Sequence, residues 1–224
     1  AGHLFFGSDP YAITGMVLEF SVPTAVVGLM WVTIYNGNNP LSLSLVVIDT
    51  ILSPFLIPVT LRVLVGSQVE IDATMMMRQL IFMVALPAIA AMVLNQVTHG
   101  AVKNTWPKKL ALFSKFALMF VVTSNSSKVA PYVRHMNLER VAIGAAILVL
   151  ATGSYALGWG VARVLHQDKE TTISMIYGTG MRNISAGAVI AGACFPGAVP
   201  VMIGTLFQQV LAAFYGKVLV SKLE

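Results

Sequence analysis

Long apolar segments alternate with short polar connections along almost the whole chain. Seven of these segments are predicted to cross a bilayer, at residues 10–35, 41–65, 77–97, 110–123, 138–165, 171–193 and 198–220. Most of them have the length of about 20 residues that a helix needs to cross the hydrocarbon layer. Strands of a membrane barrel are shorter and alternate apolar and polar positions. The pattern therefore predicts an all-α membrane protein.

Composition agrees with this class. Hydrophobic residues make up 57% of the chain and charged residues 10%, whereas about a quarter of the residues in soluble domains are charged. The net charge of +5 comes largely from loops, where it reports membrane orientation. We therefore expect a lipid bilayer and no nucleic acid as partner. We expect a multi-pass protein of the plasma (inner) membrane, and the distribution of Lys and Arg favours a cytoplasmic C-terminus.

Two of the predicted spans carry interruptions. Pro23 lies in the interruption at residues 21–24 of the first span, and proline removes a backbone donor from a helix. The stretch 178–187 contains three glycines and one serine together with Arg182 and Asn183. Backbone that leaves the helix at membrane depth must be buried in protein or line a wet cavity. An arginine at that depth also indicates a functional site.

The two interrupted spans occupy corresponding places in the chain. Each is followed by a half-helix, a short Gly/Pro turn (37–40 and 196–200) and one more helix. They are five spans apart and so should cross the membrane in opposite senses. This arrangement is typical of an inverted repeat, in which paired broken helices meet near the midplane and direct their ends at a ligand. The alternative is that these prolines and glycines are ordinary features of membrane helices.

Arg182 needs a partner, because a lone charge at the bilayer centre costs about 2.5 to 3.5 kcal/mol. Asp49 is the first candidate, since it lies nine residues after Pro40 and therefore roughly 13 Å into its helix. Glu19, just before Pro23, is the second. Either carboxylate could be a structural counterion or could exchange protons and couple transport to a proton gradient. Arg182 itself could hold the two broken helices together or present its charge to an anionic substrate.

Several short segments of the sequence resemble those of one transporter family. They are Pro23-Thr24-Ala25, residues 35–45, Asp49-Thr50-Ile51-Leu52-Ser53-Pro54, Gly180-Met181-Arg182-Asn183, Phe195-Pro196-Gly197 and Gln208-Gln209. They are similar to the two broken helices of the bile acid:sodium symporter family. The resemblance implies ten helices in two inverted repeats, divided into a core and a panel, with the first three helices missing from this chain. Residues 1–65 would end the first repeat, 66–137 would form panel-type helices, and 138–224 would form core helices of the second repeat, including the broken helix 171–193.

The chain departs from this family where the resemblance implies sodium ligands. Those positions fall on Gly28, Leu29, Ser42, Val46, Gly178 and Arg182. Glycine and leucine side chains offer no oxygen to sodium, and an arginine repels the cation. We therefore expect a bacterial branch of the family that is not sodium-coupled in the usual way.

These observations predict an alternating-access carrier, symporter-like, for a small organic anion. The expected substrate and coupling site comprises Glu19, Thr24, Ser42, Asp49, Thr179, Gly180, Arg182, Asn183 and Gln209. Alternatives are a channel, a receptor-like scaffold, or a thiol-dependent arsenite-type efflux carrier that uses Cys194. His-Glu-x-x-His and Gly-x-Ser-x-Gly motifs are missing, so we expect no enzyme. One cysteine and scattered histidines predict neither a metal site nor a cofactor. Bile acids, pantoate-like acids, keto acids and sulfonated anions all remain open as substrates.

Overall fold

The described part of the computed structural model is helical. It covers residues 9–66, 72–102, 137–195, 198 and 200–220, with scattered positions between 106 and 134. The helices are α1 (Pro10–Ser21), α2 (Gly28–Ile34), α3 (Asn39–Leu64), α4 (Ala73–Leu80), α5 (Leu86–Val97), α6 (Leu138–Val164), α7 (Lys169–Gly180), α8 (Ile184–Cys194) and α9 (Pro200–Val218). A π-helical turn, Ile81–Ala85, joins α4 to α5. The predicted all-α class is confirmed for these residues.

Polar residues in the connections start several helices. Their side chains accept hydrogen bonds from N–H groups of the first turn, which otherwise have no partner in the helix. Asp9 caps α1, Asn38 caps α3, Asp72 caps α4, Asn137 caps α6 and Asp168 caps α7, with nitrogen to oxygen distances from 2.7 to 3.1 Å. The polar connections seen in the sequence thus fix where these helices begin.

Three of the described helices are long and apolar enough to cross a membrane: α3, the continuous helix 73–97 and α6. The predicted spans 10–35 and 171–193 each consist of two shorter helices, α1 with α2 and α7 with α8. Both predicted interruptions are therefore confirmed. The predicted span 110–123 lies largely outside the described residues. The inverted repeat, the missing first helices and the three-part division of the chain stay predictions.

The apolar core lies around the two interruptions. One cluster packs α1 and α3 against α4 and α8 and includes Leu18, Ile57 and Leu80. A second joins α2, α6, α7 and α9 around Tyr155 and Tyr177. Large apolar side chains on the outer faces of the helices are exposed, as helices that face lipid require. The interrupted helices are consequently held in a packed interior, where side chains can position irregular backbone.

Candidate functional site

The two interruptions, residues 22–27 and 181–183, lie side by side. Thr24 and Arg182 pair there as an antiparallel β-bridge. Hydrogen bonds of 2.9 and 2.8 Å flank the bridge, from the Ala25 N–H to the Met181 carbonyl and from the Asn183 N–H to the Pro23 carbonyl. Backbone groups freed by one break are thus satisfied by the other, which is what non-helical backbone inside a bilayer needs. The prediction that the two broken spans meet is confirmed, and we call this contact the crossing.

Asp49 reaches the crossing from α3. Its Oδ2 accepts hydrogen bonds from the Thr24 N–H at 2.7 Å and the Thr24 hydroxyl at 2.8 Å. The same oxygen lies 3.7 Å from Nη1 of Arg182, and the two side chains are 32% and 25% exposed. The Thr24 hydroxyl also lies 3.0 Å from the carbonyl oxygen of Gly178, near the end of α7. The structure therefore brings Thr24, Asp49 and Arg182 together and forms the expected ion pair.

Glu19 is buried in the last turn of α1, with an exposed fraction of 2%. Its carboxyl group lies against Gly204 of α9, where a Cβ would overlap it. With Arg182 and Tyr155 it lines a cavity of about 20 Å³. Its Oε2 has no hydrogen-bond partner among the described residues. The structure thus places Glu19 near Arg182, whereas the ion pair that it shows for Arg182 is with Asp49.

The two glutamines of α9 point to different neighbours. Gln208 donates a hydrogen bond through Nε2 to the carbonyl of Arg182. Gln209 instead accepts a 3.0 Å hydrogen bond from Trp31 Nε1. Consecutive residues of a helix are about 100° apart around its axis, so one of the pair is turned away from the crossing. The structure thus places Gln208, and not the expected Gln209, at the crossing, and a role of Gln209 in the substrate site stays a prediction.

Three further expected residues lie along α7 and at the start of α8. Thr179 turns back on its own helix, where its hydroxyl donates to the Met175 carbonyl at 2.9 Å, and it makes no contact with the ion pair. Gly180 packs so closely on the Tyr155 ring that a Cβ would overlap the ring. Asn183 caps α8, accepting from the Ala186 N–H at 3.3 Å. Gly180 and Asn183 therefore shape the break, whereas Thr179 does not join the crossing.

A small cavity gathers most of the positions that the resemblance matched to sodium ligands. Its volume is about 10 Å³, and its lining includes Gly28, Leu29, Ser42, Val46 and Gly178. The Ser42 hydroxyl is buried there and has no hydrogen-bond partner among the described residues. A cavity of this size holds one water molecule at most. Ser42, Thr24 and Tyr177 carry the side-chain oxygens of the lining, and the Tyr177 hydroxyl already donates to the Ala212 carbonyl. Asp49 is already occupied by Thr24 and Arg182.

A larger cavity of about 460 Å³ opens beside the crossing. Residues of α2, α3 and α8 form one wall, and residues of α4, the π-helical turn and Ala88 of α5 form the other. Most of its lining is apolar, with polar groups at Thr50, Gln79, Asn183 and Ser185. Asn183 connects this cavity to the crossing, whereas Arg182 lines the small cavity beside Glu19. Sequence reasoning missed Thr50, Gln79 and Ser185, because nothing in the chain marks polar residues that face each other across separate helices.

Comparison with known proteins gives one family and a few relatives. The model of the SBF-like CPA transporter family matches residues 4–224. The chain is 42% identical to "Uncharacterized protein YbaS" of Bacillus subtilis (strain 168) over 98% of this chain and 72% of that protein. It is 22% identical to "Probable sodium/metabolite cotransporter BASS3, chloroplastic" of Oryza sativa subsp. japonica over 94% of this chain and 51% of that protein. The corresponding protein of Arabidopsis thaliana gives 22% over 94% and 50%. The chain thus spans about half the length of the BASS3 proteins.

Proposed function

We propose that this chain, which belongs to the SBF-like CPA transporter family, is the core of a secondary carrier that moves a small organic anion across the plasma membrane. The observation that supports this most is the cavity of about 460 Å³ next to two crossing broken helices. Its volume falls in the range of about 300 to 1,000 Å³ that is usual for small-molecule sites. Binding sites of secondary carriers are typically formed by broken helices of this kind.

The lining of the cavity favours a substrate with an apolar body and one polar head. The apolar side chains of α3, α4 and α8 would surround the body. Asn183 and Ser185, at the start of α8, would receive the head. The N-terminal end of a helix carries partial positive charge and N–H donors, so an anionic head is favoured there. Arg182, just outside this cavity, would add a long-range positive potential without touching the substrate.

The crossing supports transport without sodium. Sodium binding requires several oxygen ligands. Among the positions in question around the cavity of about 10 Å³, Ser42 offers a side-chain oxygen, whereas Gly28, Leu29, Val46 and Gly178 offer none. The nearest carboxylate, on Asp49, is paired with Arg182. A cation that used this carboxylate as a ligand would have to displace the guanidinium. Uptake should therefore be the same when potassium replaces sodium.

The two walls of the large cavity suggest how alternating access would occur. One wall is built on the crossing and the other on the π-helical turn 81–85 with α4. Movement of one wall past the other would open the cavity first to one side of the membrane and then to the other. The crossing would stay intact during this movement, because its backbone hydrogen bonds cannot be replaced by lipid. The C-terminus would face the cytoplasm.

Counterflow in proteoliposomes tests this proposal. Vesicles loaded with an unlabelled carboxylate should take up the same labelled carboxylate transiently above its equilibrium level, for at least one of pyruvate, pantoate and taurocholate. A channel would show no such overshoot, and an enzyme would convert the compound. Absence of both counterflow and saturation for the whole panel would count against a carrier.

Asn183→Asp gives a more specific test of the binding site. Aspartate is as good a helix cap as asparagine but places a negative charge at the cavity, so anion uptake should fall at least about tenfold, which corresponds to 1.4 kcal/mol. Asn137→Asp is the matched control, because Asn137 caps α6 in the same way and does not line the cavity. Equal uptake by the two variants would remove Asn183 from the anion site.

A further inference from the structure

Glu19 stands out among the described acidic residues because it is buried without an ion-pair partner. It is 2% exposed, and its Oε2 has no hydrogen-bond partner among the described residues. An isolated carboxylate in such surroundings loses its hydration without compensation, and in practice such a group takes up a proton instead. Its position in the last turn of α1 acts in the same direction, since the C-terminal end of a helix carries partial negative charge that repels a carboxylate.

The charges around Glu19 also favour its neutral, protonated form. The groups that face it from neighbouring elements are Arg182 and Tyr155, which line the same cavity, and Gly204, Gln208 and Ile184, which do not titrate. Beyond Arg182 lies Asp49, whose carboxylate balances the guanidinium at 3.7 Å. With Glu19 neutral, the crossing carries no net charge. With Glu19 ionised, it would carry one uncompensated negative charge inside the membrane.

Arg182 is positioned to pair with either Asp49 or Glu19. Its Nη1 approaches Asp49, whereas its Nε is buried and has no hydrogen-bond partner among the described residues. The side chain borders the cavity of about 20 Å³ that Glu19 also lines, and a cavity of that size has room for a water molecule between them. A rotation of the guanidinium could therefore transfer its contact from Asp49 to Glu19 without breaking the backbone bridge of Thr24 and Arg182.

We propose that Glu19 is a proton-binding site of this protein and that it is neutral while Arg182 pairs with Asp49. When Arg182 turns to Glu19, Glu19 releases its proton to water and Asp49 takes up a proton in place of its lost partner. The two acids thus share one guanidinium and one proton between them. The role of this exchange in coupling rests on the proposed carrier function, whereas the protonation states themselves do not.

Infrared difference spectroscopy of the purified chain in vesicles tests the proposal without any substrate. At neutral pH the wild type should show the carbonyl stretch of one protonated carboxyl group, and Glu19→Gln should lack it. Asp49→Asn should lack it as well, because Arg182 then has only Glu19 to pair with and Glu19 ionises. Glu139→Gln, which changes an exposed acid in the first turn of α6, is the matched control and should keep the band.

The possible results separate the two proposals. Absence of the band in the wild type, or its presence in Glu19→Gln, would overturn the neutral state of Glu19. Its persistence in Asp49→Asn would overturn the exchange of partners. Thermal unfolding adds a second measurement: Glu19→Gln replaces a neutral acid by a neutral amide, so its midpoint should match that of Glu139→Gln, whereas a large drop would show that Glu19 is charged and paired. A failed counterflow assay would reject the carrier function and leave these results unchanged.

Discussion

Replacing Asp49 by asparagine tests the electrostatics of the crossing directly. The side chain keeps its size, and its oxygen can still accept from the Thr24 N–H, which lies 2.7 Å from the carboxylate in the native protein. What disappears is the negative charge that lies 3.7 Å from the guanidinium of Arg182. The variant therefore isolates the charge from the packing, and we expect the chain to insert but to be less stable.

The size of the effect follows from the distance. At an effective dielectric constant of about 20, two unit charges 3.7 Å apart attract by about 4.5 kcal/mol. Since the two side chains are 25% and 32% exposed, water weakens this attraction, and a loss of about 2 to 3 kcal/mol is a fair expectation for a partly buried pair that loses one partner. For a chain of this length that corresponds to a fall of about 5 to 10 °C in the unfolding midpoint.

Thermal unfolding of the detergent-solubilised protein, followed by tryptophan fluorescence, provides the assay. Asp72→Asn is the matched control. It makes the same chemical change at an exposed helix cap, where asparagine caps equally well. The double variant Asp49→Asn/Arg182→Gln should recover part of the loss, since it leaves no buried guanidinium and Glu19 then stays neutral. Midpoints that are equal for Asp49→Asn and Asp72→Asn would refute the view that the pair stabilises the crossing.

Other substitutions distinguish positions that look alike in the sequence. Gly180→Ala should lower the unfolding midpoint and abolish uptake, because the added Cβ overlaps the Tyr155 ring. Gly178→Ala should be tolerated, because its Cβ meets only a side-chain methyl at 3.4 Å. Equal unfolding midpoints of the two variants would contradict this. Gln208→Ala should reduce uptake more than Gln209→Ala, because Gln208 holds the Arg182 carbonyl whereas Gln209 bonds to a tryptophan side chain. Uptake assays in vesicles compare the latter pair, and a larger loss in Gln209→Ala would reverse the assignment.

Sequence reasoning located the crossing because breaks in apolar helices are visible along the chain. Pro23, Gly180 and Asn183 mark positions where a continuous helix is unfavourable, and Arg182 marks a position that must be buried in protein. The depth estimate for Asp49 used only the helical rise per residue, and the carboxylate does reach Arg182. Features that follow from chain geometry and from the cost of burying charge could thus be predicted.

The cavity could not be predicted in the same way. Its walls combine α3 and α8 with α4 and the π-helical turn, and no local pattern specifies which faces of separate helices oppose each other. The same limit explains the choice of Gln209 over Gln208, since a rotation of one residue around a helix decides which side chain reaches the crossing. Thr179 lies next to the break in the sequence, but a threonine hydroxyl in a helix often bonds back to the preceding turn, and the Thr179 hydroxyl does so.

The arrangement of the two cavities suggests different roles for the neighbouring residues Arg182 and Asn183. Asn183 lines the large cavity, whereas Arg182 lines the small one with Glu19. Because these two residues are adjacent in an extended backbone segment, their side chains leave it on opposite sides. A substrate held at Asn183 would change the potential felt by Arg182 one residue away without competing for its hydrogen bonds. Substrate binding at Asn183 and proton exchange at Arg182 could therefore be coupled through the electrostatic field across a single peptide unit. The β-bridge between Thr24 and Arg182 would hold the two cavities in a fixed relative position.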